Sequence, residues 1–265
     1  MISLVQLLRE AQGNPKAVIL AGAPGAGKGY ILRGLDLGGL KTMNVDDIYV
    51  PLLKKANITL DLKNATPEER SEQAKQMAAA NKQFKGELEQ VIAGRESFIL
   101  DGTAASYKKT AELKSELEEA GYDTFMLYVY TDLERSLSQN QDRYFKSGGE
   151  DRSLAPAIVM RTWKSVTDNL PKYEELFGNN FVAVANTLDN RMQDIDKIIQ
   201  KYLKPFTPQG TKPKTPAQQK KSDERKAKDK EEIQAMLADD FIYDVIEYTM
   251  SKEEAQMRLK QFLSK

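Results

Sequence analysis

The stretch Gly22-Ala-Pro-Gly25-Ala-Gly27-Lys28-Gly29 follows an apolar run at 17–21 (AVILA) and precedes a helix-forming segment. Glycines at this spacing let a backbone curl until successive amides face one anion. The helix behind adds the positive end of its dipole. A lysine closing such a loop reaches the outer phosphates of a nucleoside triphosphate. The spacing predicts a phosphate-binding loop, with Gly22, Gly25, Ala26, Gly27, Lys28, Gly29 and Tyr30 against the nucleotide. One position departs from the common pattern. Ser or Thr usually follows the lysine and binds magnesium, but here Gly29 and Tyr30 stand there. Magnesium would then depend on carboxylates, phosphates and water.

Three further clusters bear on the same chemistry. Asn44-Val45-Asp46-Asp47 closes an expected strand over 42–45. Parallel sheets bind ligands at the C-terminal ends of their strands, so a carboxylate here is the best candidate for a base that takes a hydroxyl proton. Asp46 or Asp47 capping the next helix is the plainer alternative. Phe98-Ile-Leu-Asp101-Gly102-Thr103 ends a second apolar strand in a carboxylate, as a metal-facing aspartate would. A turn or cap would use the same residues. Arg143, Gly148-Gly149, Arg152 and Arg161 could form a hinged lid whose arginines close over phosphates, or a solvated charged loop.

The chain of 265 residues has no cysteine and no histidine. That excludes disulfides, thiol nucleophiles, Cys/His zinc sites and histidine bases. Catalysis must rest on carboxylates, Lys, Arg, hydroxyls, amides or an oxygen-held metal, and phosphoryl transfer is the leading such chemistry. Should Asp46 not be the base, Asp47 and Asp101 are nearly all that remains. Lys+Arg and Asp+Glu both number 39, so no global basic field points to nucleic acid. No apolar run approaches the roughly 20 residues that cross a membrane. The N-terminus lacks the basic region and long apolar stretch of a secretory signal, and zero cysteine is compatible with a reducing cytoplasm.

The elements that must hold these residues alternate. Strands are expected at 17–21, 42–45, 97–100, 124–130 and 181–185. Helices are expected at 1–10, 28–35, 67–93, 108–120, 133–143, 158–176 and 192–203. Five alternations imply an α/β fold with a mainly parallel five-stranded sheet. After Lys204 the composition changes. Pro205, Pro208, Pro213 and Pro216 fall close together, and 211–230 holds eight basic and three acidic residues. This reads as a linker over 205–230, with weak affinity for a polyanion as the alternative. Apolar periodicity returns over 231–265, and Ser251-Lys-Glu-Glu254 is a capping box. That segment reads as a small helical module that docks on the main domain or on a protein partner.

The loop GAPGAGKG resembles the adenylate-kinase form, in which Gly also follows the lysine. The clusters occur in the order found in zeta-toxin-like P-loop kinases, relatives of adenylate kinase that include polynucleotide-kinase-like enzymes. The resemblance covers about 15–190. It includes Asn44-x-Asp46, the Asp101-Gly102-Thr103 turn, and Arg161, Ser165, Asn169-Leu170, Tyr173 and Leu176 at similar spacing. It implies a three-layer P-loop kinase domain at 1–204 and transfer of the γ-phosphate of ATP or GTP, with Mg²⁺, to a hydroxyl of a small molecule. By it, Lys28 and Arg143 contact the nucleotide, Asp46 is the base, Arg152 and Arg161 contact phosphate, and Asp101 faces the metal. Zeta toxins phosphorylate UDP-N-acetyl sugars, and other relatives act on other acceptors.

Met1–Glu10 followed by Ala11 resembles the capsid-targeting leaders of tailed-phage internal proteins, which are cut after Leu/Ile-x-x-Glu. Leu7-Leu8-Arg9-Glu10 fits that cut. It implies a phage-encoded protein of the host cytoplasm or virion interior; an ordinary first helix over 1–13 is the plainer alternative. Two other functions stay open: a nucleotide-binding interaction protein without catalysis, and a polynucleotide 5′-kinase whose basic linker supplies nucleic-acid affinity.

Overall fold

The apolar run ahead of the phosphate loop is an inner strand of a parallel sheet. The computed structural model describes residues 13–35, 40–62, 65–186, 215–238 and 248–264. In chain order its elements are β1 (Lys16–Ala21), α1 (Lys28–Leu35), β2 (Lys41–Met43), α2 (Asp46–Lys55), α3 (Pro67–Gly94), β3 (Phe98–Asp101), α4 (Tyr107–Glu119) and β4 (Asp123–Tyr130). Then come α5 (Leu133–Lys146), α6 (Pro156–Asp168), α7 (Leu170–Phe177), β5 (Phe181–Ala185), α8 (Pro216–Ala238), β6 (Thr249–Met250) and α9 (Lys252–Leu263). The strand order is β2-β3-β1-β4-β5-β6, and every pair is parallel. β1 is buried along its whole length, as a strand covered on both faces must be. Its neighbours β3 and β4 lie on opposite sides, so the chain reverses its direction of winding at β1. The crevice at such a switch point is where ligands bind.

The two faces of the sheet carry separate apolar layers. Alternate residues Ala17, Ile19 and Ala21 meet Leu117, Val166, Leu170 and Tyr173 from the helices of one layer. Val18 and Leu20 meet Ile31 of α1 and Ala255, Leu259 and Phe262 of α9 on the other. This is the three-layer sandwich expected of alternating strands and helices. A smaller cluster of Tyr49, Leu53, Ile58, Leu60 and Ala80 joins α2 to α3 beside the C-terminal strand ends. Thr66 and Glu69 close a capping box at the start of α3, fixing where that long helix begins.

The structure corrects the expected elements in three places. The sheet has six strands, not five, because β6 adds parallel to β5 at Ala183↔Thr249 and Val184↔Met250. Two residues are too short to show a strand period. The helix expected over 158–176 is two helices, α6 and α7, meeting at Asn169. Pro171, in the first turn of α7, has no N–H to continue the helix. Part of the expected linker is α8. Its composition buries little, but Thr215 and Gln218 cap each other and i,i+4 pairs such as Gln219–Asp223 and Lys228–Glu232 line its surface. Such pairs hold a largely polar segment helical. α9 docks on the main domain, one of the two placements expected of the module, and supplies part of its core. The helices expected at 1–10 and 192–203, and the decapeptide with its cut pattern, lie outside the described residues.

The packing of α9 on the sheet has a measurable consequence. Leu259 is fully buried against β1 and β5 side chains. Leu259→Ala should cost about 2–4 kcal/mol of stability, read from urea unfolding of the whole chain. A cost below about 1 kcal/mol would mean that α9 is dispensable to the core.

Candidate active site

The phosphate loop leaves β1 at Gly22 and enters α1 at Lys28, and its shape depends on residues that lack side chains. Gly25 has φ +75°, and a Cβ there would stand 2.4 Å from the Ser136 carbonyl oxygen. Gly27 has φ +78°, and a Cβ there would stand 2.3 Å from the Asn186 side chain. Both positions therefore require glycine. Three side chains hold the loop carbonyls. Ser136 Oγ donates to Pro24 O at 2.5 Å, the Gln139 amide to Gly25 O at 2.9 Å, and Asn186 Nδ2 to Ala26 O at 2.7 Å. In a trans peptide the following N–H points the opposite way, so holding these carbonyls turns the amides of Gly25 and Gly27 away from the holding side chains.

Lys28 is partly exposed as a residue, but its ammonium is sunk in the loop and donates to Gly22 O at 3.1 Å and Ala23 O at 3.4 Å. Burial holds its pKa below the ordinary lysine value. Asp101 and Asp46 pull it back up, and Arg143 pushes it down. An ammonium folded onto carbonyls in a site this dry has a strong preference for an anion.

Two strand ends deliver the carboxylates. Asn44, just past β2, joins them: its Nδ2 donates to Asp101 Oδ2 at 3.0 Å and its Oδ1 accepts from the Asp46 N–H at 2.9 Å. Burial raises the Asp101 pKa above the usual carboxylate value, against Lys28 and the Asn44 hydrogen bond, which lower it. Asp46 accepts from one nitrogen of Arg152 through both oxygens, at 2.7 and 2.8 Å. The N-cap of α2 is Val45, with no side-chain cap, so neither aspartate is the cap. Asp47 is exposed, outside the cleft lining, and its pKa is raised by partial burial and by Asp46.

The segment after α5 closes over this floor. Gly148 and Gly149, both at positive φ, turn the chain back. Arg143 pairs with Asp151 and Lys54 with Glu150, while Ser153 Oγ donates to Asp61 at 3.0 Å. Arg152 is thereby carried over the Tyr49 ring, 5.6 Å from its centre. Its Nε is buried without a hydrogen-bond partner. The opposite wall is the turn after β3. Ala104 sits there at φ +52°, held by the Tyr173 hydroxyl on its carbonyl at 2.5 Å, and Asn169 Nδ2 donates to Ala105 O at 3.2 Å. Asn169 and Tyr173, part of the resemblance, support the turn that carries Thr103.

The resulting cleft has a volume of about 630 Å³ and gathers Gly25–Gly29, Asp46, Asp101, Arg143 and Arg152. Three expected residues do not line it. Gly22 is buried where β1 ends, its N–H donating to Thr103 O at 3.2 Å and its carbonyl accepting from Lys28 at 3.1 Å. Tyr30 is 60% exposed, with Lys252 of α9 4.8 Å above its ring. Arg161 is exposed on α6, whose buried face is Val159, Met160, Trp163 and Val166, and it does not line the cleft. Sequence reasoning missed Gln139, Asp142 and Lys146 in the lining, and Ser136 and Asn186 behind the loop. Among the described residues no three acidic side chains form a metal cluster. The donor set fits magnesium shared with phosphates and water, since such sites need only one or two carboxylates, and Asp101 is the carboxylate available.

The raised Asp101 pKa sets a pH dependence. The folded state holds this proton more tightly than the unfolded chain, so acidification does not destabilise the protein through Asp101. Acidification does remove the charge that a metal or Lys28 would use. Magnesium-dependent nucleotide binding should therefore weaken as pH falls, beginning at a higher pH than an ordinary carboxylate would give, while folding survives. Titration calorimetry against pH should show this limb, and Asp101→Asn should flatten it. An acid limb unchanged in Asp101→Asn would contradict the assignment.

A family model described as Zeta toxin matches residues 4–198, which include every residue of the cleft. A search of curated proteins found no match. Among solved structures, one of the PezAT chromosomal toxin–antitoxin system of Streptococcus pneumoniae is similar at 15% identity and TM-score 0.49, covering 89% of this chain and 94% of that one. Shikimate kinase from Acinetobacter baumannii is similar at 19% identity and TM-score 0.35, covering 74% and 95%. A gluconokinase from Sinorhizobium meliloti is similar at 14% identity and TM-score 0.36, covering 72% and 91%.

Proposed function

The chain belongs to the zeta-toxin family, and from that premise we propose that it transfers the γ-phosphate of ATP or GTP to a hydroxyl of a small molecule such as a nucleotide sugar. The observation that carries this reading is the convergence of Lys28, Asp46, Asp101 and Arg152 on one cleft above the loop. In this reading the amides of the loop and Lys28 hold the β- and γ-phosphates, and Arg143 and Arg152 meet charge that develops on the transferring group. Asp46 takes the proton of the acceptor hydroxyl as the new O–P bond forms. The bond from the γ-phosphorus to the β-bridging oxygen breaks, and the nucleoside diphosphate leaves. Asp101, oriented by Asn44, is the residue that would hold magnesium, which when bound neutralises charge between β- and γ-oxygens.

The ion pair with Arg152 orients Asp46 and also covers it. Arg152 must exchange Asp46 for phosphate before the carboxylate is free to act as a base. Its unpartnered Nε supports such an exchange, because a phosphate oxygen would satisfy it.

A second reading is nucleotide binding without transfer. Tyr30 favours it, since its ring points to α9 and brings no hydroxyl to the cleft. The test is incubation with γ-labelled ATP and GTP against nucleotide sugars, nucleosides and oligonucleotides. Label on a small acceptor, lost in Asp46→Ala, supports the kinase. Label on an oligonucleotide end would move the function to a polynucleotide kinase. Nucleotide binding with no labelled acceptor favours the second reading.

A further inference from the structure

Asn186 lies past the end of β5, 160 residues from the loop carbonyl that it holds. It is nearly buried, and its main chain is fixed at both polar ends. Its N–H donates to Tyr130 O at 2.8 Å, and its carbonyl accepts from Thr131 Oγ1 at 3.0 Å. Thr131 is in turn anchored, because its own carbonyl accepts from Trp163 Nε1 at 2.8 Å. A side chain held this firmly has one use for its amide, and Nδ2 meets Ala26 O at 2.7 Å. The same nitrogen occupies the space that a Cβ on Gly27 would need. We infer that Asn186 is a positioning residue for the phosphate donor: it sets the Ala26–Gly27 peptide so that the Gly27 N–H is presented to the nucleotide.

This inference rests on the reading of the loop as a nucleotide site, and it adds a residue that no local motif marks. The physical argument is the orientation of one peptide. Without a donor behind it, the Ala26 carbonyl is free to rotate, and Gly27 has no side chain to resist rotation. Ser136 and Gln139 hold the two preceding carbonyls but not this one. Loss of Asn186 therefore disorganises the part of the loop next to Lys28.

The test compares Asn186→Leu and Asn186→Asp with Thr124→Val. The probes are ADP and a non-hydrolysable ATP analogue, with Tm recorded on each protein without nucleotide. Leu removes the donor; Asp keeps the shape but sets an acceptor against Ala26 O. Thr124→Val removes the hydrogen bond from a buried hydroxyl to Glu118, near the start of β4 and outside this chain of contacts, so it reports simple destabilisation. Both Asn186 variants should bind the analogue roughly 10-fold or more weakly, whereas Thr124→Val should lose Tm without losing affinity. Unaltered affinity in Asn186→Asp, or an equal loss in Thr124→Val, would overturn the inference. Binding of nucleotide without transfer to any acceptor would sink the kinase reading and leave this one standing. A wild-type chain that binds neither probe would overturn both.

Discussion

Replacing Lys28 with methionine should lower phosphoryl transfer by about 10³-fold and leave Tm unchanged or higher. The two halves of this result come from one cause. The ammonium is buried among backbone carbonyls, and burial lowers its pKa despite Asp101 and Asp46. A lowered lysine pKa means that the folded protein holds the charge less readily than the unfolded chain, so the charge costs stability below that pKa. Methionine keeps the unbranched stem but not the terminal ammonium, and so removes the cost. The lost function follows because the charge is useful only once phosphate arrives. A fall in Tm of several degrees would show that the ammonium is structural. Differential scanning calorimetry on the protein without nucleotide decides this.

Asp46→Ala should give the opposite pairing, with turnover lower by about 10²–10⁴-fold and stability lower as well. Among the described residues, Asp46 is the acceptor for the Arg152 guanidinium, and its Nε has no partner there. Both side chains are mostly buried, at 15% and 20% exposure. Removing the carboxylate strands a guanidinium, at a cost of roughly 2–3 kcal/mol. Adding nucleotide should restore part of this loss if phosphate takes over the contact with Arg152. Urea unfolding with and without the ATP analogue measures both effects. A variant as stable as its parent would mean that the ion pair contributes nothing.

The contrast between these residues explains what the sequence could show. The loop was legible because its chemistry is local: strand, glycines, lysine and helix lie within 20 residues. Asp46 and Asp101 could be placed because each follows an apolar strand, and parallel strands bring their C-terminal ends to one edge. The supports of the loop were not legible, since Ser136 and Asn186 stand 112 and 160 residues from the carbonyls that they hold. Arg161 was chosen by its order in the chain, but the apolar phase of α6 turns it outward. Tyr30 was counted with the loop because it follows Gly29, yet its ring packs under Lys252, a contact between α1 and α9 that sequence spacing does not encode. In α8 the low apolar content of 211–230 hides a helix, because paired charges and good helix formers sustain it.

The central claim is that Asp46 serves the chemical step in a cleft that Lys28 and the loop have already loaded with nucleotide. Single-turnover transfer of γ-label to the acceptor, measured beside equilibrium binding of the ATP analogue, tests it most directly. Asp46→Ala should bind the analogue at least as tightly as the parent, because Arg152 is free for phosphate, and should transfer label at least about 10²-fold more slowly. Transfer at the parental rate in Asp46→Ala would contradict it.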